Sequence, residues 1–120
     1  MAARRKPAGI RSILDPEAMR LHAGEAARLL KVLGNEKRLQ LLCLLVEGER
    51  SVGELNACLD LSQSALSQHL ALLRADGLVQ TRREAQTILY SLADSPSRQI
   101  ISTLHDVYCI DDRAPCGDRP

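Results

Sequence analysis

The stretch SQSALSQHLALLRADGLVQTRREAQTILYSL, which runs from Ser62 to Leu92, specifies the architecture of this chain. Ser62 is a favoured helix N-cap, and the apolar residues after it recur at helical spacing, so the sequence predicts a helix that is closed by a turn at Gly77. The apolar side of this helix comprises Leu66, His69, Leu70 and Leu73. The opposite side carries hydroxyls, amides, one small side chain and one arginine, namely Gln63, Ser64, Ser67, Gln68, Ala71 and Arg74.

The polar side of this helix lacks the lysines and glutamates that usually fill an exposed helix face. Short hydroxyl and amide side chains suit an approach to a DNA major groove, because Gln and Ser can pair with base edges and with adjacent phosphates. A solvated face of a small domain is the alternative interpretation. The predicted groove-facing residues are Gln63, Ser64, Ser67, Gln68 and Arg74.

The residues from Leu78 to Leu92 alternate as two strands of a ribbon and place Arg82 and Arg83 near its tip. A helix followed by a basic ribbon is typical of a winged helix-turn-helix, in which the ribbon contacts phosphates beside the groove that the helix enters. The predicted fold class is therefore mainly α with a small two-stranded antiparallel β-ribbon. Arg82 and Arg83 are the predicted phosphate contacts.

The size and composition of the chain narrow the class of partner. Its 120 residues suffice for one domain with a core. The only aromatic residues are two tyrosines, so a stacking platform for single strands or RNA is not expected, whereas double-stranded DNA remains open. The net charge of +1 is low for a DNA-binding domain. A winged-helix module that binds proteins rather than DNA is therefore the alternative from a different class.

The sequence has no membrane-length apolar run and no signal peptide, so we expect a cytoplasmic protein. In a reducing compartment its four cysteines are more often thiols, metal ligands or redox sensors than structural disulfides. An enzyme is not expected, because there is no Gly-rich phosphate loop, no paired carboxylate constellation and no nucleophile elbow. No cofactor is predicted.

The remaining segments predict helices on both sides of this unit. A disordered basic arm over residues 1–14 is expected to precede one domain over residues 15–110, and a flexible tail over residues 111–120 is expected to follow it. Pro16 opens a helix to about Leu33, and its wide apolar stripe predicts a dimer contact, with a role in covering the core as the alternative. The other predicted helices are 36–47, capped by Asn35, 52–59, capped by Ser51, and a last one from Ser95 and Pro96 to about Ile110.

Four segments of the chain resemble the ArsR/SmtB family of bacterial winged-helix repressors. These are LKVLGNEKRLQLLCLL (Leu30–Leu45), SVGEL (Ser51–Leu55), LSQSALSQHLALLRADGLV (Leu61–Val79) and REAQTILYSL (Arg83–Leu92). The resemblance implies a homodimer held by its first and last helices. It also implies that two reading helices enter consecutive major grooves of a near-palindromic operator, and that a chemical inducer weakens this grip.

Two metal sites known in that family do not match this chain. Where the family's metal repressors carry a Cys-Val-Cys type motif, this chain has Ser51, Val52 and Gly53. At the second site, Asp94 lacks the histidine and acidic companions that the family's zinc repressors carry in the last helix. No metal site is predicted from either pattern.

Cys43 in the central helix and Cys109 at the end of the last helix are the expected sensing pair. In these contexts they resemble the branch of the family that includes BigR, SqrR and HlyU, which respond to persulfides and polysulfides. The resemblance implies that reactive sulfur species link Cys43 to Cys109 and release the operator. Cys109, one helical turn from His105, is the expected attacking thiolate, and the more buried Cys43 is the expected resolving thiol.

A metal- or arsenite-responsive repressor is the alternative within the same architecture. It would use Cys43 and Cys109, with His105 as a third ligand one helical turn from Cys109. Cys58 and Cys116 are treated as bystanders in both interpretations.

Overall fold

A computed structural model describes residues 15–108 of the chain and shows five helices and a three-stranded antiparallel sheet in that range. The predicted arm, the tail and the last two residues of the predicted domain, including Cys109, lie outside the described residues. In chain order the elements are α1 (Pro16–Leu33), α2 (Glu36–Val46), β1 (Arg50–Ser51), α3 (Val52–Cys58), α4 (Gln63–Ala75), β2 (Val79–Glu84), β3 (Thr87–Leu92) and α5 (Ser97–Tyr108).

Helix α1 belongs to a unit that ends at Leu33, and the elements from α2 onward form a second unit. Asp15 caps α1, since its carboxylate accepts a hydrogen bond of 3.1 Å from the backbone N–H of Glu17. Val32 and Leu33 at the end of the helix are buried. Three large apolar side chains farther from that end are exposed, namely Met19, Leu21 and Leu30.

Side-chain caps fix the starts of the next three helices at the predicted residues. The Asn35 side chain accepts from the backbone N–H of Arg38, and the Ser62 hydroxyl accepts from that of Ala65. Ser51 and Glu54 form a reciprocal capping box in which each side chain accepts from the other residue's backbone N–H. Each cap satisfies donors that the first helical turn leaves without a partner, so these short segments have well-defined N-terminal ends.

A tight turn joins α3 to α4 and completes the helix-turn-helix. The Asn56 amide donates a hydrogen bond of 3.1 Å to the carbonyl of Leu61 and closes this turn. Helix α4 ends in a Schellman motif, in which Leu78 N–H bonds the Leu73 carbonyl and Gly77 N–H bonds the Arg74 carbonyl. Gly77 has a φ of 77°, which suits glycine, and it turns the chain directly into the ribbon.

The ribbon of β2 and β3 has the predicted antiparallel form, and the sheet gains a third strand. The strand order is β1-β3-β2, with Arg50 opposite Tyr90 and Ser51 opposite Leu89. The pair Glu84 and Thr87 flanks the turn at the ribbon tip. The sequence pattern did not predict β1, because a two-residue strand is too short to show an alternating period.

An aliphatic core holds the second unit together. Helix α2 packs against α5 and β3, and α4 packs against α3 and β2. The side chains that are 0% exposed are Leu41, Leu42, Leu55, Leu66, Leu73 and Ile101. The buried leucines of α4 fall on the predicted apolar side of the helix. No helix within the described range is long and apolar enough to cross a membrane.

We expect the substitution Leu66→Ala to lower the free energy of unfolding by about 2–5 kcal/mol, because it removes a fully buried side chain and leaves a cavity. The matched control is Leu72→Ala in the same helix. Leu72 is 39% exposed, so its truncation is expected to cost less than about 1 kcal/mol. Urea unfolding at one fixed protein concentration measures both, and equal costs would contradict this account of the core.

Candidate functional site

The outward face of α4 carries no acidic side chain and is exposed to solvent. All six residues predicted on this face are exposed, namely Gln63, Ser64, Ser67, Gln68, Ala71 and Arg74. The helix is held from behind by Leu66, Leu70 and Leu73, which are buried. The polar side chains therefore stand on a rigid support, which a groove-reading helix requires for directional hydrogen bonds.

His69 lies at the margin of the buried side of α4 rather than on the outward face. It is half-buried, and this burial lowers the pKa of its imidazole, with a further lowering by the positive charge of Arg38. Both effects disfavour the charged ring. His69 is thus a partly buried residue at the edge of the packed side of α4, in agreement with its position in the apolar pattern.

A shallow groove of about 370 Å³ separates the end of α4 from strand β3. Its lining includes Ser67 and Arg74 from the outward side of α4, and Tyr90 from β3. The groove lies between the outward face of α4 and the sheet. Tyr90 brings a hydroxyl group to this groove, whereas the sequence pattern predicts it only as a strand residue.

The two arginines of the ribbon both have intramolecular partners. The Arg82 guanidinium donates to both carboxylate oxygens of Glu49, with Nε distances of 3.0 and 2.9 Å and an Nη2 distance of 2.6 Å. Arg83 Nε donates to the carbonyl of Ala85 at 3.3 Å. Ala85 lies in the ribbon turn with a φ of 58°. The sequence pattern predicts both arginines near the tip but gives no signal for Glu49, because Glu49 and Arg82 are 33 residues apart.

The candidate sensing cysteines are only partly covered by the described residues. Cys43 lies in α2, carries a reduced thiol and is half-buried. Cys109 and Cys116 lie outside the described residues. Cys58 takes part in a disulfide, whereas the sequence predicts a bystander and favours thiols over structural disulfides. Its chemistry therefore has to be controlled in any experiment on the cysteines of this chain.

A polar contact joins the end of α2 to α5. His105 Nε2 lies 3.1 Å from a carboxylate oxygen of Glu47, the residue that caps α2. The other carboxylate oxygen of Glu47 accepts from Arg50 at 3.4 Å. The buried His105 Nδ1 makes no hydrogen bond to a described residue and lies 3.6 Å from the carboxylate of Asp106. Glu47 is one helical turn beyond Cys43, so the contact lies close to the cysteine-bearing face of α2.

The metal-binding alternative finds no preformed site in the part of the chain that the structure covers. Between residues 15 and 108, no three His, Cys, Asp or Glu side chains are grouped to hold a metal ion. The alternative ligand set includes Cys109, which lies beyond this range. His105 and Cys43 would be its two described members.

Comparison with known proteins identifies the architecture. The family described as "Bacterial regulatory protein, arsR family" matches residues 35–81. The chain is 54% identical over 96 residues to the transcriptional activator HlyU of Vibrio cholerae serotype O1, which covers 80% of this chain and 89% of HlyU. The structure of reduced HlyU from Vibrio cholerae N16961 aligns with a TM-score of 0.71 and 55% identity, covering 76% of this chain and 96% of that one.

The crystal structure of the transcriptional repressor BigR from Xylella fastidiosa aligns with a TM-score of 0.77 and 41% identity, covering 82% of this chain and 98% of BigR. These relatives are transcriptional regulators rather than enzymes. The segment that matches the family, residues 35–81, contains α2, α3 and α4. The chain therefore belongs to the ArsR family of DNA-binding transcriptional regulators, with a winged helix-turn-helix fold.

Proposed function

We propose that this protein is a homodimeric repressor that releases its operator when persulfides or polysulfides link Cys43 to Cys109. The observation that carries the sulfur-sensing part is the contact between Glu47 and His105. Cys43 precedes Glu47 by four residues, and Cys109 follows His105 by four residues. Four residues is the spacing of one helical turn, so Cys43 is one turn from Glu47 and Cys109 has the same spacing from His105. Glu47 and His105 contact each other across α2 and α5.

The exposed face of α4 supports operator recognition by direct contact with bases. Gln63, Ser64, Ser67 and Gln68 offer donors and acceptors of the length that reaches base edges from a helix in the major groove. Arg74 would also face the groove. Arg82 and Arg83 of the ribbon would meet phosphates, which position the protein without reading sequence. One relative is named an activator and another a repressor, and both roles begin with specific DNA binding.

The substitution Gln68→Ala is expected to weaken operator binding by about 5- to 100-fold, because it removes a bidentate amide from the reading face. The operator is the duplex that the protein itself selects from a randomised pool, and gel shift measures the affinity. Gln99→Ala, which removes the same side chain from an exposed position of α5, is the matched control and should leave binding unchanged. Equal effects of the two substitutions would count against α4 as the reading helix.

The sulfur chemistry requires two thiols and one sulfane donor. The Cys109 thiolate attacks the terminal sulfur of a persulfide RSSH, forms a persulfide on Cys109 and releases the thiol RSH. The Cys43 thiolate then attacks the sulfur bonded to Cys109 and releases hydrosulfide. The two cysteines are oxidised to a disulfide, and the persulfide is reduced to RSH and H₂S. A polysulfide donor leaves additional sulfur atoms in the bridge.

A bridge between the two cysteines would constrain α2 relative to α5. Helix α2 packs against α5 and supports the rest of the DNA-binding unit through its buried leucines. A change in this packing alters how the two reading helices of a dimer are spaced and tilted on DNA. A coupling of about 2.7 kcal/mol suffices to lower operator affinity roughly a hundredfold, which lies within the usual allosteric range.

We expect persulfide treatment to form a Cys43–Cys109 bridge in the wild-type protein. Release of the operator should rise in parallel with formation of this bridge. Cys43→Ser and Cys109→Ser should each abolish the release while retaining operator binding. Intact mass and peptide mapping identify the bridged residues and count the sulfur atoms, and a gel shift on the same samples follows the DNA. Operator affinity that is nearly equal in reduced and bridged protein would exclude the mechanism.

Cys58→Ser is the matched control for this experiment, because it makes the same substitution at a cysteine outside the proposed pair. It also tests the disulfide that Cys58 forms in the structure. We expect this variant to respond to persulfide as the wild type does. Loss of the response in Cys58→Ser, with a bridge mapped to Cys58, would move the sensing function to another pair. Release of the operator by zinc or arsenite, with no sulfur added to the protein, would instead favour the metal- or arsenite-responsive alternative.

The homodimer is supported by apolar side chains that the described elements leave exposed. On α5, Ile100 is 42% exposed, Val107 is 59% exposed and Tyr108 is 78% exposed. Ile101 on the neighbouring side of the same helix is completely buried. Helix α1, taken by itself, exposes Met19, Leu21 and Leu30. Apolar stripes of this kind on two terminal helices are suited to a symmetric interface between identical chains.

Val107→Glu is expected to shift the protein from dimer to monomer, because it places a charge in the apolar stripe of α5. Sedimentation velocity measures the two species. Gln99→Glu adds the same charge to a polar, exposed position of the same helix and should leave the dimer intact. A Val107→Glu protein that remained dimeric at the lowest measurable concentration would show that the interface lies elsewhere.

A further inference from the structure

Glu49 holds Arg82, which lies in the outer half of β2, in a two-pronged contact. Both carboxylate oxygens accept from the guanidinium, at 2.9 Å and 3.0 Å from Nε, and one of them also lies 2.6 Å from Nη2. Paired, charged hydrogen bonds of this kind fix the orientation of an arginine on a carboxylate. Glu84 lies farther away, with a single distance of 3.8 Å to the same guanidinium. Glu49 is therefore the main partner of Arg82 among the described residues.

The sheet register explains why these two residues meet. Arg82 on β2 is opposite Leu89 on β3, and Leu89 is in turn opposite Ser51 on β1. Residues in register share a face of the sheet, and residues two apart along a strand return to the same face. Glu49 precedes Ser51 by two positions, so its carboxylate lies on the face that carries Arg82. The arginine thus reaches across β3 to the segment that leads into β1.

The contact neutralises a charge that the DNA interface requires. The Glu49 carboxylate raises the pKa of Arg82, and the Arg82 guanidinium lowers the pKa of Glu49, so both groups are held in their charged forms. The Arg82 side chain remains 53% exposed and the Glu49 side chain 33% exposed. Exposed ion pairs of this kind are weak because water and salt screen them. A phosphate oxygen could therefore replace the carboxylate at the guanidinium without a large cost.

We propose that Glu49 competes with DNA phosphate for Arg82 and thereby limits the affinity of this protein for duplex DNA. This inference rests on the proposed use of the ribbon arginines as phosphate contacts. In the unbound protein Arg82 is paired with Glu49, and in the complex it exchanges this carboxylate for a phosphate oxygen. The exchange costs the Glu49 contact, so the gain in affinity from Arg82 is smaller than it would be from an unpaired arginine.

A competitor of this kind affects all sequences alike. Phosphate contacts position a protein on DNA but carry no direct sequence information. Glu49 should therefore weaken binding to the operator and to an unrelated duplex by the same factor. The ratio of the two affinities, which is the specificity, should be set elsewhere, on the outward face of α4.

A double-mutant cycle on Glu49 and Arg82 tests this inference. Glu49→Gln is expected to tighten binding about threefold to tenfold at low salt, equally for the selected operator and for a scrambled duplex. In an Arg82→Gln background the same Glu49→Gln change should alter affinity less than about twofold, because the arginine for which Glu49 competes is absent. Fluorescence anisotropy with the two labelled duplexes measures all four proteins.

Glu84→Gln is the matched control, since it removes the same charge beside the same arginine but lacks the two-pronged contact. It should tighten binding less than Glu49→Gln does. If Glu49→Gln tightens binding equally with and without Arg82, Glu49 acts only as a general negative charge, and the inference is wrong. Absence of any tightening by Glu49→Gln overturns it as well.

Arg83→Gln separates this inference from the proposed role of the ribbon. If Arg83→Gln weakens DNA binding while Glu49 and Arg82 show no coupling, the ribbon contacts DNA and only the competition fails. If neither Arg82→Gln nor Arg83→Gln weakens binding, the proposed phosphate contacts fail, and the competition fails with them. Thermal unfolding of each variant, carried out in parallel, ensures that the comparison concerns folded protein.

Discussion

The burial of leucine side chains from α2 is the constraint on which the rest of the second unit depends. Leu41 and Leu42 are completely buried, and α2 contacts both α5 and β3. With no Phe or Trp in the chain, aliphatic surface supplies the driving force for this packing. Because α2 packs against both, it fixes where the last helix and the sheet that carries the ribbon lie relative to each other.

The short segment from Glu47 to Ser51 connects the end of α2 to two distinct parts of the domain. At one end Glu47 contacts His105 of α5, and two residues later Glu49 contacts Arg82 of the ribbon. Ser51 then pairs with β3 and caps α3. The helix that carries Cys43 is thus joined through one stretch of backbone to the last helix, the ribbon and the helix-turn-helix.

The low net charge of the chain is compatible with DNA binding because the charges are unevenly distributed. The outward face of α4 presents Arg74 and no acidic residue, so this proposed reading surface does not repel phosphates. Acidic groups act instead at the ribbon, where Glu49 neutralises Arg82. Net charge therefore describes this interface poorly, and the position of each charge relative to the reading helix is more informative.

Local signals in the sequence were sufficient to predict the elements and the outward face of α4. Asn35, Ser51 and Ser62 are caps in the structure because capping depends on residues three positions apart, and the α4 leucines are buried because their spacing matches the helical repeat. The strand β1, the pairing of Glu49 with Arg82 and the contact of Glu47 with His105 could not be predicted in this way. Each joins residues that are dozens of positions apart, and only the packing of the helices and the register of the sheet bring them together.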